Sequence, residues 1–265
     1  MKFRLIAVGV AAWVAVIGAL AYHSLRNDPP TAREQTTIAA ALPTVDEALA
    51  RIAQALGADP VVAVLNPYHK INGDCRITTF RDGARFERVL TVYTRAGAEP
   101  AALDRLSTAL PKQYRPIVRH KNTTHTFEAD AGNFVAVRGG IDGPGRLRFA
   151  ADTGCRPYPE PVREAPAPEA DRAAVQAVLD ALRLPGPQWR VTTLPCPSGD
   201  PLWTVEAVAV GTAPPVLSSL GETSARGAVV VQANQEVYAY RTGSTGVAVR
   251  ASGATVTVSA TTGCV

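Results

Sequence analysis

The five residues Ala151-Asp152-Thr153-Gly154-Cys155 have a counterpart later in the chain, Ala260-Thr261-Thr262-Gly263-Cys264. Each copy closes an alternating apolar segment, and each follows one earlier cysteine, Cys75 or Cys196. Ahead of the first copy, Leu147, Phe149 and Ala151 share one face while Arg146 and Arg148 take the other. A period of two with one apolar face marks a half-buried antiparallel strand. Outward from the two copies the same programme is legible twice: a helix, a strand carrying a cysteine, a second strand, a short helix opened by Gly-x-x-Pro, further strands, and the closing phrase. The two openers are Gly97-Ala98-Glu99-Pro100 and Gly211-Thr212-Ala213-Pro214. One shared element would mean little, but the whole ordered set points to duplication. The expected fold class is α+β, with two tandem, duplicated domains behind an N-terminal transmembrane helix. Each domain is expected to be an antiparallel sheet packed with two helices.

In the first half, Thr44 reads as an N-cap and Glu47 completes a capping box. Ala48, Leu49, Ile52, Ala53 and Leu56 form a stripe at helical spacing that Gly57 ends. Residues 61–65 are a short apolar run. Residues 75–80 and 85–95 read as a hairpin turning at Asp82-Gly83. A second helix carries Leu103, Leu106 and Leu110 and stops at Pro111. Strands are expected at 114–120, 124–130, 133–138 and 146–151, with Gly139, Gly140, Gly143 and Gly145 as a hairpin turn. Residues 156–170 hold five prolines in fifteen positions and read as a stiff linker. In the second half Val175, Val178, Leu179 and Leu182 give a helix. Strands follow at 189–196 and 202–210, then a short helix with Val216, Leu217 and Leu220, then strands at 228–233, 236–241, 246–250 and 254–260. The resulting boundaries are a signal anchor over 1–23, a tether over 24–43, a first domain over 44–157, a proline-rich linker over 158–170 and a second domain over 171–265.

Lys2 and Arg4 precede eighteen uncharged residues, 5–22. As a helix this run is about 27 Å long, enough for a bilayer core. The leading positive charges orient it N-inside and put the rest of the chain outside the cytoplasm. Ala19-Leu20-Ala21 would serve as a signal-peptidase site, in which case the protein is secreted after cleavage behind Ala21. The length fits a retained single-pass anchor in the cell membrane better. In an exported chain four cysteines without C-x-x-C spacing read as two disulfides. Spacing alone leaves three connectivities open, but the repeat selects Cys75–Cys155 and Cys196–Cys264.

Of 27 basic residues four are lysines, an arginine bias that resembles the codon usage of a GC-rich bacterium. Residues 45–157 carry 16 basic and 12 acidic groups, and residues 158–265 carry 7 and 9. Neither half has the charge density of a dedicated nucleic-acid binder, and no nucleic-acid partner is expected.

No familiar catalytic constellation is present. Asp152-Thr153-Gly154 matches the loop of pepsin-like proteases, but the second copy has Thr261 where the paired carboxylate would stand. His120 and His125, five apart, are expected on opposite faces of a strand, which argues against a metal site. G-x-S-x-G, P-loop, H-E-x-x-H and S-x-x-K are all absent. No catalytic residue, metal or cofactor is assigned. The remaining feature is a basic stretch, Lys112, Arg115, Arg119, His120 and Lys121. It is a candidate for binding anionic lipid or wall polymer, although a solvated strand face that keeps an edge from aggregating is the more ordinary reading. The functional expectation is a membrane-anchored, extracytoplasmic, non-catalytic binding or envelope-interaction module of unknown ligand and protein partners. The alternative is a cell-envelope hydrolase whose residues meet only in three dimensions.

Overall fold

The computed structural model describes residues 2–27, 36–57, 60–71, 73, 75–78, 81–164, 172–197, 199–211, 220 and 227–264. Helix α1 (Lys2–Asn27) opens the chain, and each of its described side chains, Ile6 and residues 9–24, is exposed. Among the described residues no helix is long and apolar enough to cross a membrane.

Helix α2 (Ile38–Leu56) starts two turns before the expected Thr44. Thr37 is the N-cap, its hydroxyl accepting from the Ala40 amide at 3.3 Å, and Pro43 lies inside the helix. Tertiary packing decides the start: Ile38 is 1% exposed and sits against Ala84 and Phe86. Glu47 does not complete a capping box, and instead pairs with Arg51 one turn on at 2.7 Å.

The first sheet contains β1 (Val62–Leu65), β2 (His69–Lys70), β5 (Phe86–Tyr93), β6 (Ile117–Lys121), β7 (Thr124–Asp130), β8 (Ala136–Gly143) and β9 (Arg146–Asp152), in the order β1-β5-β9-β8-β7-β6 with β2 on β5. Helices α2 and α3 (Glu99–Ala109) cover one face, where Leu49, Ile52, Leu103 and Leu106 meet Leu90, Leu147, Phe149 and Phe127. Complete burial of each such side chain contributes about 2 kcal/mol.

The second sheet contains β10 (Gln188–Leu194), β11 (Leu202–Val210), β12 (Val229–Ala233), β13 (Val237–Thr242), β14 (Thr245–Ser252) and β15 (Thr255–Thr262), in the order β10-β11-β15-β14-β13-β12. Position for position this is the order of the first sheet, and every pairing in both is antiparallel. Helix α4 (Ala173–Leu182) covers it with Val175, Val178 and Leu179. The second helix expected here falls on 212–219, outside the described residues, except for Leu220, which is buried in the same core. The fold is thus mixed α+β, built on two antiparallel sheets.

Two hairpin expectations are corrected. Cys75 lies on β3 (Cys75–Thr78), which pairs with β4 (Arg81–Gly83) as a separate ribbon, so Asp82-Gly83 lies within a strand. Gly83 is required for close approach: a Cβ there would sit 2.7 Å from the Arg156 carbonyl and 3.0 Å from Cys155 Sγ. Likewise Gly139 and Gly140 belong to β8, where a Cβ would strike Phe149 and the His125 carbonyl.

Disulfides join Cys75 to Cys155 and Cys196 to Cys264, with Cα–Cα distances of 5.8 and 5.5 Å. The segment after Cys155 does not run free over its described part. Arg156, 1% exposed, donates to the carbonyls of Thr153 and Asn133. Glu164 receives Arg88 at 2.8 Å. Residues 165–170 of the expected linker lie outside the described residues.

The sheets also touch each other. Val62, Val64 and Tyr93 of the first pack on Val231, Val237, Ala239 and Ala248 of the second. At the edge strand β1, the Leu65 amide donates to the Thr204 hydroxyl at 3.2 Å and the Thr192 hydroxyl donates to the Leu65 carbonyl at 2.9 Å. A buried edge left unpaired would be costly, and side chains of the other sheet pair it.

Candidate functional site

Directly opposed residues of an antiparallel ladder point to the same face. The register therefore lays out the face of the first sheet that α2 and α3 leave uncovered. One row runs Thr91, Arg148, Gly140, Thr126 and Arg119. Its neighbours are Val89, Ala150, Arg138 and Glu128 on one side, and Tyr93 and Arg146 on the other. Small residues (Gly140, Thr126, Ala150) alternate with long arginines, so the floor is low and the guanidiniums rise from it. Three depressions of about 610, 390 and 340 Å³ succeed one another along this face. The first two share Arg85, Arg138 and Asp152, and the last two share Asp142 and Arg148. At the sheet junction the wall is completed by Arg250 of β14.

The charges are mostly paired. Arg85 Nε donates to Asp152 Oδ2 at 2.7 Å, and Arg138 lies 3.7 Å from the same oxygen. Glu87 takes Arg148 at 3.1 Å and His69 at 2.9 Å. Arg146 donates to the Asp142 carbonyl at 2.7 Å. Its buried Nε forms an ion pair with Asp142 Oδ2 at 3.0 Å. Arg250 is exposed and makes no ion pair among the described residues. Burial pushes the Tyr93 phenol above its ordinary value, against the pull of Arg250 and Arg146.

Asp152 is committed to this ion network. Its Oδ1 accepts from the Gly154 amide at 2.8 Å, and Thr261 of the second copy hydrogen-bonds Thr204 at 2.8 Å inside the other sheet. The Asp-Thr-Gly phrase is a turn that seats a half-cystine.

The basic stretch expected to act together is divided by the fold. Lys112 lies on a 3-10 turn (Lys112–Tyr114), and Arg115 follows it with φ of 45°. Arg119 stands on the open face, 3.1 Å from Glu128. His120 points to the α3 side, because neighbours on a strand alternate. Strand β6 is the outer edge of the sheet and is largely exposed, with Lys121 at its end.

The two histidines require a correction: they sit on different strands, directly opposed across the β6–β7 hairpin. Their Nδ1 atoms are 2.5 Å apart, and His120 Nε2 is 3.0 Å from Asp104 Oδ1 on α3. The Asp104 carboxylate accepts from His120 Nε2–H, and across the Nδ1–Nδ1 contact one ring donates and the other accepts. His69 does not join them, being paired with Glu87 on the opposite face. Among the described residues neither histidine is hydrogen-bonded to a serine, threonine or cysteine, and no group of three or more His, Cys, Asp or Glu is placed to hold a metal.

No protein-family model matches this chain, and no curated protein matches it significantly. The crystal structure of a DUF4853 family protein from Actinomyces odontolyticus ATCC 17982 aligns with a TM-score of 0.31 at 13% identity, covering 61% of this chain and 89% of that one. A likeness this weak carries no argument.

Arg146 and Arg148 were visible in the sequence as the polar face of a strand. Their grouping with Arg85, Arg138 and Arg250 was not, because it depends on cross-strand register and on where the second sheet comes to rest.

Proposed function

We propose that this chain is a membrane-anchored, extracytoplasmic module that binds an anionic ligand along the open face of its first sheet. The observation that carries this reading is the continuous arginine-lined groove. Guanidiniums are weakly hydrated planar forks suited to carboxylate and phosphate. The two disulfides suit an oxidising compartment. The apolar run behind Lys2 and Arg4 and the exposure of the described α1 side chains support an anchor. The matching strand orders support two duplicated units, 44–157 and 171–265, in this same reading. The ligand would be an anionic lipid or wall polymer, and Arg119 extends the groove to the sheet edge.

The full chain in neutral detergent is expected to bind polyphosphate and to lose at least about tenfold in affinity between about 0.05 and 0.5 M salt, since exposed charges are screened. Arg138→Ala and Arg148→Ala together should weaken binding by a similar factor. Salt-insensitive binding, or none, overturns the reading. For the anchor, a C-terminally tagged chain should stay with membranes through alkaline extraction. A soluble product beginning at Tyr22 would contradict it.

The hydrolase alternative has one observation behind it, the Asp104–His120–His125 chain. It would require His120→Ala to abolish an activity that Arg148→Ala spares.

A further inference from the structure

We propose that the end of the first sheet carrying Phe134 rests on the lipid bilayer, with the Phe134 ring inserted at its interface. The inference rests on the anchor reading above and states which part of the chain that anchor sets against the membrane. Beyond α1, the exposed large apolar side chains among the described residues between 36 and 164 are Ile117, Phe134 and Tyr158. The register places all three at one end of the sheet. Glu87 opposes Asp152, Asp152 opposes Ala136 and Ala136 opposes Asp130, so β5 and β8 begin where β7 and β9 finish. Ile117 starts β6 opposite Glu128 at that same end. Tyr158 lies against Phe86, the first residue of β5, with ring centroids 5.1 Å apart. Single exposed hydrophobics scattered over a surface are ordinary, but these are gathered.

Phe134 is the most telling of the three. Gly132, Asn133 and Phe134 have φ of 82°, 50° and 59°. Glycine takes this left-handed region freely and asparagine often, whereas a phenylalanine there is uncommon and strained. The side chain is 51% exposed, so burial in the chain's own core does not offset that strain. The loop is nevertheless firmly held. Asp130 Oδ1 accepts from the Gly132 amide at 2.8 Å, the Ala131 amide donates to the Val135 carbonyl at 2.9 Å, and the Val135 amide donates to the Gly132 carbonyl at 2.8 Å. The buried Arg156 guanidinium donates to the Asn133 carbonyl. A fixed backbone therefore presents an aromatic ring outward.

Arg156 also ties this loop to the side from which the chain arrives. Its Nη1 donates to the Thr36 carbonyl at 3.4 Å, and the Pro157 carbonyl accepts from the Ile38 amide at 3.1 Å. Nine residue steps lead from Asn27, the end of α1, to Thr36, at most about 32 Å of chain. The far end of the sheet, where Asn122 and Thr123 turn β6 into β7, lies a further strand length of about 24 Å away. Charge at the near end is close to balanced: the depression beside Phe134 sets Arg85, Arg138 and buried Arg156 against Asp130 and Asp152. Arg85 already holds Asp152, and Arg156 donates to carbonyls. The contact is thus apolar insertion at the interface, where aromatic rings are favoured, in lipids of any headgroup.

The test uses the full chain reconstituted in phosphatidylcholine vesicles. All four native cysteines are in disulfides, so a single added cysteine can carry an environment-sensitive fluorophore. At Phe134→Cys and at Ile117→Cys the emission should shift to the blue and be quenched by lipids bearing a nitroxide near the headgroup. At Thr123→Cys it should do neither. Phe134→Gly, in the chain labelled at Ile117→Cys, should lose quenching there while its urea midpoint in neutral detergent stays level or rises, since glycine relieves the backbone. Labels at 134 and 117 that remain in water, in a chain that stays with the vesicles through alkaline extraction, overturn this inference and leave the anchor intact. A chain released by that extraction overturns both. A lowered midpoint in Phe134→Gly assigns the ring a structural role and overturns the proposal as well. Quenching that appears only when phosphatidylglycerol is added, and fades in salt, overturns the apolar contact.

Discussion

Arg88 is 1% exposed and still charged, so everything around it is arranged to compensate. It holds Asp46 at 2.7 Å and Glu164 at 2.8 Å, donates to the Asn66 carbonyl at 3.2 Å and lies 4.4 Å over the Tyr68 ring. Tyr68 in turn donates to Asp46 at 2.5 Å. Removing one member of such a group strands its partners, at a cost of about 3–5 kcal/mol. Burial pushes the Asp46 carboxyl above its ordinary value of 3.8, against the pull of Arg88 and Tyr68. Its folded value therefore exceeds its unfolded one, and between the two the folded state keeps a proton that the unfolded state has lost. Stability from this group falls as pH rises through that window. Urea unfolding of the wild type and of Asp46→Asn at a series of pH values above 3.8 should show the wild-type margin shrinking as pH rises. A margin that grows instead would contradict the assignment. None of this cluster could be read from sequence, since Asp46, Arg88 and Glu164 come from a helix, a strand and a proline-rich strap.

Among the elements, β1 shows most clearly where local pattern suffices and where it fails. Its apolar run was legible at 61–65, but its role as the edge seated on a second sheet was not. The Thr204 hydroxyl serves both the Leu65 amide and Thr261. Thr204→Val keeps the shape and leaves a buried amide without an acceptor, a loss of about 1–3 kcal/mol. The urea midpoint should fall accordingly, and an unchanged midpoint would show that this edge is not held by Thr204. The helix start at Ile38 escaped sequence reading for a related reason. Thr44 and Glu47 make a valid local signal, but the contact of Ile38 with Phe86 outweighs it. Gly83, Gly139 and Gly140 escaped as well, because glycine marks both turns and close approaches and only packing separates the two.

For the whole molecule, the alternating strands and the order of elements were legible because period two and paired cysteines are local or countable signals. Bridges spanning 80 and 68 residues each contribute on the order of 4 kcal/mol by the chain-entropy argument. The groove was not legible. It is assembled from Arg138, Arg146 and Arg148 by register, from Arg85 just ahead of β5, and from Arg250 by the packing of Val62, Val64 and Tyr93 on the second sheet. The central claim, that this face is the working surface, is tested most directly by hydrogen–deuterium exchange of the full chain with and without polyphosphate. Protection should concentrate in β8, β9 and the turn 142–145, with the Arg250 end of β14 included. Binding that protects only residues 112–121 at the sheet edge, or β12 and β13, while 136–152 exchange unchanged, would contradict it.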